Sequence, residues 1–505
     1  MVWLKRNRWV SIAAMACVAL ATGANAANYY VSPTGNNVTG DGLTWATAKR
    51  TLWNSGGGTG ALALATSSGD VIYMKEGTYD ERNLNPASNG VSIYGGFPAS
   101  ETNMPPNPNT RVFDATAFTG RGAPINATIF AGASGRQGFV MGDRTNIRID
   151  GIWFRNYGIN NTAGGGIRIN ETTAGASNNI TIANCNFTTN SHVNNGANGA
   201  AIAFMSSGTG FVIEDCYFAQ NSCWQYGGAV YSNSTNTGQQ IAIRRCRFYD
   251  NVVNIGAGGA SGGAVALNAP GKDVTIERCD FRGNQVRLQG GAVWCYYGSG
   301  SNDTNLTVTN CFFSKNGYLP GFPVSGDTGY GGTALFSART NNYAVTNCSF
   351  DQNSANIANV GVIAVQVSNL TGVNTKFVNN IFSNHITLDT AATRFLNASG
   401  STGANNFLHN NKNGNGVDLV PQYTSTTDIL DNTNSPGYTD AANGDLHISP
   451  QSPCCDAGTA TGAPATDIDG EARPFDTFPL GSANYDIGAD ENQTVPVSVS
   501  AFELL

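Results

Sequence analysis

Acidic side chains that could bind a metal ion gather near the C terminus of this sequence. Asp467, Asp469, Asp486 and Asp490 lie in glycine-rich segments, and carboxylate oxygens are ligands that Ca²⁺ prefers. Aspartates in such segments also accept hydrogen bonds from the backbone of turns. A calcium site and a set of turns are therefore both open interpretations, and no other cofactor is indicated.

Residues with the spacing of a catalytic site are harder to find. Hydrolysis of a polysaccharide needs a pair of carboxyl groups for acid and base work, and elimination needs carboxylate-bound calcium beside a basic residue. Asp143, Arg148 and Asp150 lie close together, but we interpret them as surface residues. The four histidines are dispersed without metal-ligand spacing: His192, His385, His409 and His447. The sequence therefore predicts no catalytic residue.

Aromatic side chains form a candidate binding surface. They are Trp224, Tyr226, Tyr231, Trp294, Tyr296 and Tyr297. Tyr231 stands between Val230 and Ser232 in an alternating strand pattern, so it is expected to point outward. Exposed aromatic rings stack on flat sugar rings or on a protein partner. Loops that cover these rings are the alternative.

Six copies of one pattern position these residues. Each copy has a cysteine, a phenylalanine two residues later and an asparagine three residues after that. The columns are Cys185, Cys216, Cys246, Cys279, Cys311 and Cys348; Phe187, Phe218, Phe248, Phe281, Phe313 and Phe350; and Asn190, Asn221, Asn251, Asn284, Asn316 and Asn353. Weaker copies contain Phe154 and Phe382. A fixed internal pattern with insertions between copies is typical of a repeat protein.

The residues around each cysteine predict two short strands joined by a bend. Apolar residues three and five positions before the cysteine give the period of two of a strand. The residue just before it is Asn184, Asp215, Asn310, Asn347 or Asn379 in five copies, types that tolerate a left-handed backbone.

A third strand follows each copy, as in Gly227-Gly-Ala-Val-Tyr and Gly290-Gly-Ala-Val-Trp. Stacked coils of three strands bury a common interior. The sequence thus predicts an all-β fold, a right-handed parallel β-helix, with the hand taken from the rule for parallel crossovers.

The repeat assigns roles to its columns. Cysteines in an inward column pack as small apolar groups, and their parallel Cβ vectors suit disulfides poorly, so free thiols are expected. The asparagines are expected to hydrogen-bond from coil to coil. Glu214, Arg244 and Glu277 share a column, which predicts contacts between opposite charges of neighbouring coils.

The N terminus predicts secretion. Basic residues at Lys5, Arg6 and Arg8 precede an apolar run, and Ala24-Asn25-Ala26 offers a cleavage site, so residues 1–26 are interpreted as a signal peptide. A membrane anchor would need a longer apolar span, and the mature chain is expected to have no transmembrane segment. The net charge of −7 and the scattered basic residues disfavour nucleic acid as a partner.

Three stretches resemble known families of bacterial extracellular proteins. The start of the mature chain, Tyr29-Tyr-Val-Ser-Pro and Gly42-Leu-Thr-Trp-Ala, resembles secreted β-helix proteins of the pectate-lyase-like superfamily. That resemblance implies a short N-terminal helical cap over 42–52, which Ala61–Thr66 would extend. The Gly-Gly-Ala-aliphatic and Phe-x-x-Asn motifs resemble the repeats of chlamydial polymorphic outer-membrane proteins, which are surface adhesins.

The C-terminal stretch resembles the choice-of-anchor Q domain, on Ser452-Pro-Cys-Cys-Asp-Ala-Gly, Asp467-Ile-Asp-Gly-Glu-Ala-Arg-Pro and Tyr485-Asp-Ile-Gly-Ala-Asp-Glu. The predicted organisation is a cap with irregular coils over 27–145, regular coils over 146–440, the C-terminal module over 441–491 and a tail over 492–505.

These observations favour a secreted or cell-surface β-helix without catalytic activity that serves in adhesion, in the extracellular matrix or in glycan binding. Its expected partner is an extracellular glycan or a surface protein. The alternative is a polysaccharide lyase or glycoside hydrolase acting on an acidic polysaccharide, since this fold supports both binding and catalysis. A self-assembling structural role is a third hypothesis.

Overall fold

Parallel strands stacked into four sheets form the body of this protein. The structure is a computed structural model that describes residues 26–114, 120–158, 163–192, 196–233, 239–253, 260–268, 273–296, 305–319, 334–338, 342–355, 364–368, 374–387, 390, 392–475 and 484–494. In each middle coil the chain passes through sheets one, two, three and four in turn before it starts the next coil. The architecture is that of a parallel β-helix, and its right-handed winding stays a prediction.

Sheet one contains the strand before each cysteine. Its strands are Asn28–Val31, Val71–Lys75, Ser92–Phe97, Thr145–Asp150, Asn178–Ala183, Phe211–Glu214, Gln240–Arg244, Asp273–Glu277, Asn305–Thr309, Asn342–Thr346, Asn374–Val378, Arg394–Ala404 and Val420–Thr424.

Sheet two contains the strand after each cysteine. Its strands are Gly77–Tyr79, Thr128–Ala131, Ile152–Arg155, Asn186–Thr188, Tyr217–Ala219, Arg247–Tyr249, Asp280–Arg282, Phe312–Ser314, Ser349–Asp351, Ile381–Ser383, Phe407–His409 and Ile429–Leu430.

Sheet three consists of strands of only two residues that the sequence pattern did not predict. They are Ser222–Cys223, Val252–Val253, Gln285–Val286, Gly317–Tyr318, Ser354–Ala355 and Ile386–Thr387. Sheet four contains the strand after each glycine pair, and joins sheet one at Arg394–Ala404. Its other strands are Phe139–Met141, Ile167–Asn170, Ile202–Met205, Val230–Asn233, Val265–Asn268, Val293–Tyr296, Leu335–Ala338 and Val365–Ser368.

Little helix accompanies the sheets in the described residues. The elements are an α-helix at Ala61–Leu64 and 3-10 helices at Pro108–Thr110 and Ala441–Asn443. The predicted helix over 42–52 is wrong: that segment forms turns whose backbone bonds to the first strand, as when Tyr30 N donates to Gly42 O. The predicted helical extension over Ala61–Thr66 is confirmed by the helix Ala61–Leu64, and the rest of the cap is irregular. One antiparallel pair, Tyr438–Asp440 with Asp445–Ile448, lies near the C terminus.

The bend between sheets one and two is a left-handed residue in every regular coil. Asn184 has φ 50°, Asp215 has φ 53° and Asn347 has φ 48°, as the residue types predict. Arg245 and Arg278 take the same position with φ 51° and 53°. Position in the repeat therefore overrides the weaker preference of arginine for this conformation.

Aromatic rings of consecutive coils lie directly over one another. From Phe154 to Phe350 the ring centroids are 4.6 to 5.0 Å apart and adjacent planes agree within 5°. Phe248 pairs in register with Phe281, and both are fully buried. Because strands of a parallel sheet are about 4.8 Å apart, one ring per coil fills the interior without gaps.

The asparagine column forms a continuous buried ladder. The Asn221 Nδ2 atom donates to Asn251 Oδ1 at 2.9 Å and to Phe187 O at 2.9 Å. The same two contacts recur in the neighbouring coils. The ladder therefore satisfies side-chain and backbone groups that have no access to water.

The cysteine column contributes small apolar groups to the interior. All ten described cysteines are free and buried. The adjacent Cys454 and Cys455 are also unbridged. Asn380 and Asn406 continue the cysteine column in the last coils.

Charged side chains follow the predicted register on the outer surface. Arg244 lies between Glu214 and Glu277 in the ladder and its guanidinium is 3.0 Å from the Glu214 carboxylate. Arg245 binds Asp215 as well, at 2.7 Å. The register keeps opposite charges adjacent. Arg244 forms its salt bridge with Glu214, and the described residues show none between Arg244 and Glu277.

The described part of the C-terminal segment packs along the side of the β-helix. Asn310 Nδ2 donates to Thr466 O at 2.6 Å, and Asn347 Nδ2 donates to Gly488 O at 3.1 Å. Asn379 Nδ2 donates to Thr459 O at 2.8 Å. The left-handed bend residues thus hold this segment against sheet two.

Candidate ligand-binding face on sheet four

The outer face of sheet four carries one column of large and small side chains. In register, the second position of successive strands is occupied by Arg168, Ala203, Tyr231, Ala266, Trp294 and Phe336. Ala203 and Ala266 alternate with the large rings. This spacing leaves room for another ring to insert between Tyr231 and Trp294.

Tyr226 fills that room. Its ring stacks on Tyr231 at 6.0 Å and on Trp294 at 5.4 Å between centroids, with interplanar angles of 15° and 21°. Tyr296 stacks on Trp294 at 5.3 Å and 12°. Four rings, Tyr231, Tyr226, Trp294 and Tyr296, therefore form one continuous array, which we call the aromatic array.

The aromatic array is less exposed than the alternation of the strand suggests. Tyr231 is 3% exposed and Trp294 is 6% exposed, so the expectation that both present open ring faces is wrong. The physical reason is that Tyr226, from the turn before the strand, folds over them. Tyr226, Tyr296 and Trp224 are half-buried, and Tyr297 lies outside the described residues.

Side-chain amides form hydrogen bonds with Trp294 and Tyr231 of the aromatic array. Trp294 Nε1 donates to Gln289 Oε1 at 3.0 Å. Burial raises the pKa of Tyr231 to about 12, a shift that a hydrogen bond with Asn268 partly opposes, so the hydroxyl stays neutral. Asn268 Nδ2 also donates to Asn233 Oδ1 at 3.3 Å. Amide groups of Gln289 and Asn268 thus lie along the edge of the array.

A polar cavity of about 370 Å³ adjoins the array. Its walls come from the ends of the sheet-four strands and the chain that follows them: Asn170, Glu171, Thr172, Ala174, Met205, Ser206, Ser207 and Asn233. Met205 also packs against the buried cluster on this face that contains Ala203, Tyr231 and Trp294, so the cavity lies beside the aromatic array.

Glu171 is the acidic group of this cavity. Its carboxylate accepts from Ser207 N at 2.6 Å and from Ser177 N at 3.2 Å. Burial alone would raise its pKa, but the hydrogen bonds from Ser207, Ser206 and Ser177 lower it below its usual value. The cavity therefore has a fixed negative charge at neutral pH.

The acidic residues near Arg148 form ion pairs and turn hydrogen bonds. Asp150 is 1% exposed and pairs with Arg111 at 2.7 Å and with Arg148 at 2.6 Å. Asp143 accepts hydrogen bonds from Thr172 and Thr173, which hold its pKa below the usual range. These carboxylates stabilise ion pairs and turns. The interpretation of Asp150 as a surface residue is wrong, because its carboxylate is buried against Arg111 and Arg148.

The C-terminal aspartates divide into two groups. Asp467 Oδ1 accepts from the backbone N–H groups of Asp469, Gly470 and Glu471, which is a turn-forming role. Asp486 likewise accepts from Asn492 N at 2.7 Å, and burial raises its pKa to about 8.

Asp469 and Asp490 instead come together with His447, a residue that sequence reasoning set aside. His447 lies 22 and 43 residues before these aspartates, so no local motif marks the group. The one sequence signal is the strand pattern of Asp445-Leu-His-Ile, which places His447 and Asp445 on the same face of the strand.

Comparison with known proteins found no matching protein-family model and no matching curated protein. Among the residues that the structure describes, no helix has the length and apolar character needed to span a membrane.

Proposed function

We propose that this chain is a secreted or cell-surface β-helix protein that binds an extracellular glycan on sheet four without cleaving it. The observation that carries the proposal is the continuous aromatic array next to a polar cavity. The predicted signal peptide over residues 1–26 and the resemblances to the pectate-lyase-like superfamily, to polymorphic outer-membrane protein repeats and to the choice-of-anchor Q domain support the extracellular setting.

The chemistry of this surface suits a sugar chain. Tyr296 lies at the end of the array and is half-buried, so part of its ring is accessible, and sugar rings stack on such area. Tyr226 is half-buried between Tyr231 and Trp294 and keeps the array continuous. Amide and hydroxyl groups of Asn170, Asn233 and Ser206 line the adjoining cavity and can bond sugar hydroxyls. A pocket that combines apolar area with a few convergent polar groups is the usual form of a small-ligand site.

The charge of the cavity selects among glycans. Glu171 is ionised at neutral pH and would repel the carboxylates of a uronic-acid polymer. A neutral glycan or one with amino sugars therefore fits better than the acidic polysaccharide of the lyase alternative.

A glycan array with the purified protein tests the proposal. Removing one stacking ring with Tyr226→Ala or Tyr296→Ala should cost about 0.5 to 1.5 kcal/mol, or roughly a 2- to 13-fold loss of affinity. Tyr485→Ala is the matched control, because Tyr485 is also a half-buried tyrosine but belongs to the C-terminal segment.

Two results would overturn the proposal. One is binding that both sheet-four variants leave unchanged. The other is turnover, measured as new reducing ends or unsaturated products from uronic-acid polymers, which would establish the lyase or hydrolase alternative.

A further inference from the structure

Three side chains of the C-terminal segment converge on one point. They are His447 from the strand Asp445–Ile448, Asp469 from a turn and Asp490 from the last described segment. One ligand atom from each lies within 4.8 Å of the other two. His447 Nε2 is 3.1 Å from Asp469 Oδ2.

The imidazole is held so that Nε2 faces the group. Asp445 Oδ1 bonds His447 Nδ1 from the opposite side, and the Phe312 ring of sheet two meets the imidazole edge to face at 5.0 Å. A carboxylate behind the histidine is the usual support of a metal-binding imidazole, since it fixes the tautomer and the ring orientation.

The carboxylates have unused bonding capacity. Oδ1 of Asp469 is buried and accepts no hydrogen bond from any described residue. Asp490 is only 6% exposed, and its one hydrogen bond among the described residues comes from Ile448 N at 2.8 Å. A buried carboxylate oxygen without a donor is costly, and a bound cation would satisfy it.

The charges nearby leave the group acidic. Arg473 is bound to Glu491 at 2.8 Å with both side chains fully buried. Two arginines of the β-helix bond the backbone beside the group: Arg282 Nη2 donates to Gly444 O at 3.0 Å, and Arg278 Nε donates to Ile468 O at 2.9 Å. His447 is thus the single cationic partner that contacts Asp445 and Asp469 in the described residues. A divalent cation in place of one imidazole proton would neutralise one more of the negative charges of Asp445, Asp469 and Asp490.

We propose that His447, Asp469 and Asp490 bind a divalent transition-metal ion of the Zn²⁺ type. One imidazole nitrogen with two carboxylate oxygens matches zinc, whereas calcium takes six to eight oxygen ligands. Tetrahedral ligands about 2.1 Å from an ion lie roughly 3.4 Å apart, close to the separation of Nε2 and Oδ2. The ion takes the place of the proton that Nε2 shares with Asp469. This site is independent of the glycan-binding proposal.

Calorimetric titration of the EDTA-treated full-length protein with Zn²⁺, and separately with Ca²⁺, tests the site. One equivalent of Zn²⁺ should bind, and Asp469→Asn and Asp490→Asn should each weaken binding by more than about tenfold. Asp445→Asn should weaken it by about 10- to 100-fold through its effect on the imidazole. Asp418→Asn, which changes a surface aspartate that pairs with Lys412, is the control and should have no effect.

A second readout keeps the test decisive if Asp490→Asn does not fold. Co²⁺ in place of Zn²⁺ should give the intense visible absorption of a four-coordinate ion, and His447→Gln should abolish it. Absence of saturable Zn²⁺ binding, binding unaffected by Asp469→Asn, or binding of Ca²⁺ alone would each overturn the proposal.

Discussion

Removal of one amide from the middle of the asparagine ladder should be among the most destabilising single changes in this protein. Asn284 is fully buried. Its Nδ2 donates to Phe248 O at 2.7 Å and to Asn316 Oδ1 at 2.8 Å. Its Oδ1 accepts from the backbone N at 3.1 Å and from Nδ2 at 3.0 Å of Asn251. Asn284→Ala therefore breaks hydrogen bonds in three coils.

The magnitude follows from those four bonds. Each contributes about 0.5 to 1.5 kcal/mol net, and a buried partner left without a bond costs about 1 to 3 kcal/mol. We expect Asn284→Ala to lower the free energy of unfolding by about 3 to 6 kcal/mol. Water cannot repair the loss because the neighbours Asn251 and Asn316 are themselves fully buried.

A matched control exists on the same coils. Asn305 belongs to a second amide ladder at the protein surface, where its Nδ2 donates to Asp273 Oδ1 at 2.9 Å and its Oδ1 accepts from Asn342 at 2.6 Å. Water replaces these bonds, so Asn305→Ala should cost less than about 1 kcal/mol. Urea unfolding followed by circular dichroism compares the two variants. Equal losses of stability would refute the reasoning that burial sets the cost.

Four further predictions use the same stability assay or a thiol assay. Phe281→Ala leaves a gap between rings 4.8 and 5.0 Å away and should cost about 3 to 5 kcal/mol, as measured by urea unfolding; a cost below about 1 kcal/mol would contradict the stacked interior. Arg473→Leu leaves the buried carboxylate of Glu491 without its cationic partner and should lower the free energy of unfolding by about 3 to 5 kcal/mol. An unchanged free energy of unfolding would contradict the buried ion pair. Burial raises the pKa of Glu81 from 4.5 to about 8, so the unfolded state loses its proton first and stability should fall as pH rises between these values. The melting temperature of Glu81→Gln should therefore fall less from pH 5 to pH 8 than that of the unchanged protein. An equal fall in melting temperature for the two proteins would show that Glu81 does not have this raised pKa. Thiol titration in denaturant without reductant should find all ten described cysteines free, and any paired fraction would count against the packing role of the column.

The repeat allowed most of the coil to be predicted because each column has one physical role. A period of two placed the phenylalanines inside, and asparagine or aspartate before the cysteine marked a bend that the structure forms at Asn184 and Asn347. The strands of sheet three escaped prediction because two residues are too few to show a period.

The candidate sites were harder to predict because they depend on contacts between distant residues. The alternating strand pattern predicted that Tyr231 and Trp294 lie on the outer face of the sheet. It did not predict that the ring of Tyr226 covers them. The aspartates near the C terminus were recognisable, yet their partner His447 reaches Asp469 and Asp490 only through tertiary packing.

Two segments cover the bends between sheets one and two, and this coverage bears on where a ligand can bind. Residues 98–114 and 120–126 reach the earlier coils, where Arg247 Nε donates to Gly120 O at 2.8 Å. The C-terminal segment continues from the next coil, where Arg278 Nε donates to Ile468 O at 2.9 Å. The side chains of sheet two in these coils therefore serve packing.

The large side chains of sheet four lie on a different side of the coil from the C-terminal segment. The proposed glycan site and the proposed metal site are therefore separate. A glycan on the aromatic array would meet side chains from consecutive coils of the β-helix. A metal ion at His447, Asp469 and Asp490 would tie together three parts of the segment that packs against Phe312. Loss of the ion should therefore loosen the C-terminal segment while glycan binding persists, and loss of the tyrosines should do the reverse.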